Sequence, residues 1–349
     1  LAIFSICNFE APIETNNSAP IYKTGPHLFQ AQEAVQHLSN AGFTHVSLAN
    51  NHIYDYGQSG LENTIGELKK YNIEYVGAGC NFKDAYSHRI IEKNGIKIAL
   101  ISACENEFGC IYEDKNRGGY AWLFHDSLED SVRSLKQEVN YVVLLAHAGV
   151  ENIDFPIREW RDRYKRLCNV GVDVVIGHHP HVPQGFEEYD KSLIFYSLGN
   201  FYFDVDNLEV QNRHNESYSV ILVFDENDFS CELVFHKKSN GQVSVIEEKD
   251  ASFRIDYLNS LLTNNYEVAN NELSLSLFAK YYSDYYKSAM GLASDGDPFI
   301  RKVKAFLLRN LFKNKWKDKR NLLLLHNIRI DSHRFVVQRA LSLMSESIE

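Results

Sequence analysis

The chain has 349 residues, 44% of them apolar and 23% charged, which is enough for one large or two modest globular domains and excludes disorder as the main state. Lys and Arg number 36 against 46 Asp and Glu, a formal charge of −10, so no global basic field exists to hold nucleic acid. The apolar runs fall well short of the roughly 18 to 20 residues that cross a bilayer, and six cysteines without a CxxC pair suit reduced thiols.

In chain order, Leu1–Cys7 reads as a buried strand. Because the chain opens inside it, on Leu rather than Met, an upstream segment that could carry a signal or anchor is expected, and a cytoplasmic or membrane-associated location with it. Further strands are predicted at Thr44–Ala49, Glu74–Gly77, Lys97–Ala103, Tyr141–Ala146, Val172–Gly177 and Leu193–Leu198. Between them, Leu28, Ala31, Val35, Leu38 and Ala41, and then Leu61, Ile65 and Leu68, recur at helical spacing. The alternation predicts an α/β region with a mostly parallel sheet. After Asp204 come strands without long helices between them, Tyr218–Phe224, Cys231–His236 and Gln242–Glu247, and from about Ile255 the pattern is helical, interrupted at Gly291–Pro298. The expected division is a domain over 1–250 and a helical region over 251–349.

The polar residues cluster where strands end. Leu1–Cys7 runs into Asn8-Phe9-Glu10, Thr44–Ala49 into Asn50-Asn51-His52 with Asp55, Tyr141–Ala146 into His147 with Glu151, and Val172–Gly177 into His178-His179-Pro180-His181. In an open parallel sheet the carboxyl ends share one edge, and ligands bind in the crevice outside it. Imidazole, amide and carboxylate groups gathered there are ligands for Zn, Mn or Fe. A lone His after a strand is most often structural; four strands ending alike point to a metal site.

Five ordered segments carry a family resemblance: Asn8-Phe9-Glu10-Ala11-Pro12, Ala49-Asn50-Asn51-His52-Ile53-Tyr54-Asp55-Tyr56-Gly57, His147-Ala148-Gly149-Val150-Glu151, Gly177-His178-His179-Pro180-His181-Val182-Pro183-Gln184-Gly185 and Ser197-Leu198-Gly199-Asn200-Phe201. Over roughly residues 1–205 they resemble the bacterial capsule-synthesis CapA/PgsA family of poly-γ-glutamate biosynthesis, a branch of the calcineurin-like metallophosphoesterases. The resemblance implies a four-layer α/β/β/α metallophosphoesterase-like sandwich with two divalent metal ions (Mn, Zn or Fe). It makes Glu10, Asn51, His147, His179 and His181 metal ligands, His52 the acid beside them, and Asp55 the group that orients His52. Asn8, Asn50, Glu151, His178 and Asn200 are substrate-side or supporting candidates.

Two departures stand out. The family pattern opens with a Gly-Asp strand end upstream of Asn-x-Glu, which residues 1–349 do not contain, and Ala148 stands where the family usually carries Trp. The function implied is metal-dependent phosphoester hydrolysis in capsule or extracellular polymer synthesis. The competing reading is a subunit that holds or exports an anionic polymer beside other capsule-synthesis proteins. Residues 301–320 carry nine basic side chains over a helical apolar stripe, so a peripheral membrane contact is weighed against a plain solvated face. Cys104 and Cys110, near Glu105 and Glu107, read as structural, and the Tyr281–Tyr286 run as core and partner surface.

Overall fold

The computed structural model describes residues 4–15, 18–113, 116–204, 213–292 and 313–346, and of 313–317 only the backbone. Contacts divide the chain into two compact units. One comprises Leu1–Ile21, His27–Glu105 and Gly109–Asn264, and the other Tyr22–Pro26, Asn106–Phe108 and Asn265–Glu349.

In the first unit, β1 (Ile6–Asn8), α1 (Ala34–Asn40), β2 (His45–Ser47), α2 (Gly57–Lys70) and β3 (Glu74–Val76) form a parallel three-stranded sheet with its crossover helices. After β4 (Ala78–Gly79) and α3 (Phe82–Ala85) come β5 (Arg89–Lys93) and β6 (Ile96–Cys104). The small strand β8 (Gly119–Ala121) pairs with β4 on one side and with β7 (Cys110–Ile111) on the other, in a sheet of their own. Next are α4 (Asp126–Leu135), β9 (Tyr141–His147), α5 (Arg158–Val170), β10 (Val174–His178), β11 (Phe186–Tyr189) and β12 (Ser192–Phe195). The larger sheet has the order β11-β12-β10-β9-β6-β5, parallel at its centre and antiparallel at both edges. β9 is buried along its whole length, as a central parallel strand covered on both faces must be. An antiparallel meander, β13 (Glu216–Phe224), β14 (Phe229–Ser239) and β15 (Gln242–Ile246), is followed by α6 (Ile255–Ser260).

Two cores explain the layering. Val46 and Leu48 of the small parallel sheet pack with Val35 of α1 and with Leu61, Ile65 and Leu68 of α2. Ile6 and Val76, from the neighbouring strands of the same sheet, pack with Leu100, Val143, Leu145, Val174 and Ile176 of the larger sheet and with Tyr218 and Phe235 of the meander. On the other face of the larger sheet, buried Tyr164 of α5 stacks on Tyr196, ring centroids 5.9 Å apart. Helices, sheet, sheet and helices therefore follow one another, the four-layer α/β/β/α arrangement expected.

One expectation is corrected here. The polar strand ends do not share one sheet: β1 and β2 belong to the three-stranded sheet, β9 and β10 to the six-stranded one. The three-stranded sheet packs Cys7, Val46 and Tyr75 on one face with the helices and Ile6 and Val76 on the other with the larger sheet, so the chain closes as a sandwich rather than as one open sheet. The Oγ atoms of Ser47 and Ser102, 2.7 Å apart, bridge the facing sheets. Between edge strands β1 and β13 a cavity of about 780 Å³ is lined by Phe4, Ile6, Leu145, Ile176, His178 and Val220, among others.

The second unit is helical: α7 (Tyr266–Leu277) continues through a π-helical turn, Phe278–Tyr282, into α8 (Ser283–Met290), and α9 (Lys313–Arg329) precedes α10 (Asp331–Glu346). In the tyrosine run, Tyr282 is buried against His333, Tyr286 donates its hydroxyl to the Asn327 carbonyl, and Tyr281 and Tyr285 are exposed. Among the described residues no helix is long and apolar enough to cross a membrane. Of the basic stretch, residues 301–312 lie outside the described residues, as do the side chains of 313–317.

Candidate metal centre

Parallel register sets up the site. Cys104, His147 and His178 pair across β6, β9 and β10, so three strands of the larger sheet finish at one level. Gly177, one residue earlier, admits no side chain, because a Cβ there would come within 2.0 Å of the Tyr196 carbonyl oxygen. Beyond β10 the backbone turns sharply. His179 and His181 sit at φ +97° and +62°, and Ala11 and Asn152 at +76° and +64°. Left-handed conformations in residues with side chains cost about 1–3 kcal/mol each and concentrate where geometry serves function. Gly149 (φ +143°) nests the segment after His147 against Pro180, where a Cβ would meet the ring at 2.8 Å.

The donors converge from both sheets. His147 Nε2 lies 3.2 Å from Asn51 Oδ1, 3.1 Å from His179 Nδ1 and 4.0 Å from Glu10 Oε1. All four residues are buried. Glu10 Oε2 accepts from the Asn8 amide at 3.3 Å, whereas Oε1, which faces His147, is buried without a hydrogen-bond partner. Donors that share one ion at 2.0–2.2 Å lie no more than about 4.4 Å apart. The measured separations respect that limit, and the donor types are those of Zn, Mn or Fe, so this set fits a divalent cation. A second group, Glu151, His179 and His181, places its ligand atoms within 4.8 Å of one another, with Glu151 exposed and His181 half-buried. His179 belongs to both groups.

Supporting contacts hold the imidazoles. His181 Nδ1 donates to Asn200 Oδ1 at 3.0 Å, and His52 Nδ1 donates to Asp55 Oδ2 at 2.7 Å, the same oxygen that accepts the Leu28 N–H. Asn50 donates to the Phe9 carbonyl and accepts from the Ala11 N–H, which fastens the segment that carries Glu10. His147 is held neutral, its pKa pushed well below the usual value first by burial and then by the neighbouring imidazoles of His179, His178, His181 and His52. That state keeps a lone pair available to a cation. His178 lines the apolar cavity, and its pKa is lowered to about 4 by burial.

The family model described as bacterial capsule synthesis protein PGA_cap matches residues 2–205. The chain belongs to that family. It is 34% identical over 203 residues to the capsule biosynthesis protein CapA of Bacillus anthracis, a match covering 56% of this chain and 49% of that protein. It is 33% identical over 198 residues to the PGA biosynthesis protein CapA of Bacillus subtilis (strain 168), over 56% of this chain and 52% of that one. The chain thus spans about half the length of the curated relatives it matches. Among solved structures, the NAD nucleotidase of Haemophilus influenzae superimposes with a TM-score of 0.39 at 13% identity, over 74% of this chain and 57% of that one.

The structure thus brings Glu10, Asn51, His147 and His179 together, joins His181 and Glu151 to the group through His179, and seats His52 on Asp55. Sequence reasoning missed Glu105, whose Oε1 lies 3.5 Å from His179 Nε2, and the pair His214 and Asn152. The His214 ring is 5.7 Å from that of His181, and its pKa is lowered to about 4 by burial, then by His181 and Arg213. Glu105 follows a strand like the other site residues, so the signal was present; His214 precedes β13 and carries no such mark.

Proposed function

We propose that the chain acts in the synthesis of a capsular, poly-glutamate-type or related anionic envelope polymer, and that its first unit is a metal-dependent phosphoester hydrolase. The observation that carries this reading is the buried set Glu10, Asn51, His147 and His179, with neighbouring donor atoms 3.1–4.0 Å apart. Glu10, Asn51, His147 and His179 would hold one divalent ion, and His181 with Glu151 would contribute to a second. Bound there, such ions supply Lewis acidity to a phosphoryl oxygen and acidify water.

The chain's own residues do the rest. Asp55 fixes the proton on His52 Nδ1 and stabilises the imidazolium, so Nε2 is the atom that passes a proton to a leaving oxygen. Asn8 ties down one oxygen of Glu10 and leaves the other directed at the ligand set. Asn200 holds Nδ1 of His181 and so presents Nε2. Family membership supplies the biological setting, and the anionic polymer and other capsule-synthesis proteins are the partners it suggests.

The test is turnover of a chromogenic phosphodiester or monoester with added Mn²⁺, compared between the parent chain and His52→Ala. The expected result is a rate lower by roughly 10²–10⁴ in the variant, with Mn²⁺ uptake unchanged. Full Mn²⁺ occupancy without turnover in the parent would assign the site to holding the polymer instead.

A further inference from the structure

We propose that Glu105 is the positioning residue of the metal centre, the carboxylate that fixes the tautomer and direction of His179. The assignment rests on the metal-centre reading above. Glu105 directly follows β6 and is fully buried, which for a carboxylate calls for a specific polar environment. Its backbone N–H donates to the His147 carbonyl at 3.0 Å, so it is tied to the strand end that carries one ligand. Its Oε1 accepts the Gly149 N–H at 3.2 Å and lies 3.5 Å from His179 Nε2.

One oxygen therefore reaches the segment after His147 and the outer nitrogen of His179. With the proton of His179 drawn to Nε2 by this carboxylate, Nδ1 keeps its lone pair, and Nδ1 is the atom 3.1 Å from His147 Nε2. A carboxylate on the outer nitrogen of a ligating imidazole sets ring orientation and raises ligand basicity. His179 has particular need of such a hold, because its backbone sits at φ +97° and its Nδ1 must keep facing His147 Nε2.

The experiment measures Mn²⁺ affinity of the full chain by calorimetric titration or equilibrium dialysis, with thermal unfolding of the chelator-treated protein alongside. Glu105→Gln keeps the shape and an acceptor for Gly149 but removes the charge, and is expected to weaken Mn²⁺ binding roughly 10–100-fold while the metal-free melting temperature stays near that of the parent. Glu105→Asp, shorter but charged, is expected to bind Mn²⁺ more tightly than Glu105→Gln, the reverse of what a space-filling role would give. In a His179→Ala background, Glu105→Gln should add no further loss. Equal affinity of parent and Glu105→Gln, or an undiminished loss without His179, overturns the assignment and leaves the metal centre standing. A parent chain that takes up no Mn²⁺ overturns the metal reading, and this assignment with it.

Discussion

Each unit of the molecule holds a pair of neighbouring histidines, buried in the first and half-buried in the second, and the two pairs differ in what surrounds them. In the first unit the His147 and His179 rings lie 4.8 Å apart, with Asn51 and Glu10 oxygens beside them. In the second, His326 and His333 lie 5.4 Å apart, against the rings of Phe108 and Tyr282. Burial drives His147, His326 and His333 all toward the neutral form. Neutral imidazole is thus common to both places; oxygen donors pointed at a shared centre are found at one. Among the described residues, a candidate ligand group forms around His179 and none around the second pair. The difference teaches that a lowered histidine pKa marks burial, and that the neighbouring oxygens turn a buried imidazole into a ligand.

The strongest way to break that contrast is to remove one ring from each pair. His179→Ala removes the one residue common to both ligand groups and is expected to weaken Mn²⁺ binding on the order of 1000-fold, about 4 kcal/mol. His333→Ala should leave Mn²⁺ affinity unchanged while lowering the melting temperature, because it removes packing against Tyr282 and His326. Calorimetric titration of both variants decides it: equal losses of affinity would dissolve the distinction between the pairs.

Acid sharpens the comparison next. Burial, then the charge of Lys23, lowers His326 to about 4, and burial, then His326, lowers His333 to about 3. The folded state binds protons less readily than the unfolded chain, whose histidines titrate near 6.5. Stability is therefore full above that value and falls as pH drops through 6.5 toward the folded values, by on the order of 3 kcal/mol per group at pH 4. Urea midpoints of the whole chain between pH 7 and pH 4 should fall, and the slope should flatten in His333→Phe. Added Mn²⁺ should raise the midpoint at pH 7 without removing the acid slope that belongs to the second unit.

Much of the first unit was legible because its signals are local. The all-apolar run Tyr141–Ala146 can only be a central strand, and the polar residues after it, after Val172–Gly177 and after Thr44–Ala49 announce a site by position. The division into two sheets was not legible, since it depends on which face of each short strand meets which neighbour. The hold on the rings was legible only in part: the family resemblance pointed to Asp55 on His52 and to Asn200 as a supporting residue, but not to the imidazole that Asn200 holds, nor to Glu105. Asn200 lies 19 residues from His181 and Glu105 lies 74 from His179, and only the fold brings each carbonyl or carboxylate oxygen to its imidazole. Glu105 obeys the strand-end rule, but in sequence it stands two residues from Glu107 between two cysteines, and position alone does not say which imidazole it would meet.

The smallest effect separates the buried donors from the outer ones. His181 is half-buried, and its ring is held by the Asn200 amide, a weaker acceptor than a carboxylate. Asn200→Ala removes that acceptor and frees the ring to rotate, while Glu10, Asn51, His147 and His179 keep all their contacts. Mn²⁺ titration of this variant should show the tightest binding step unchanged and a weaker step reduced about tenfold, the low end for an outer partner of a ligating histidine. A uniform loss across both steps would mean that the two donor groups behave as one, and that the sharing of His179 outweighs the difference in burial between them.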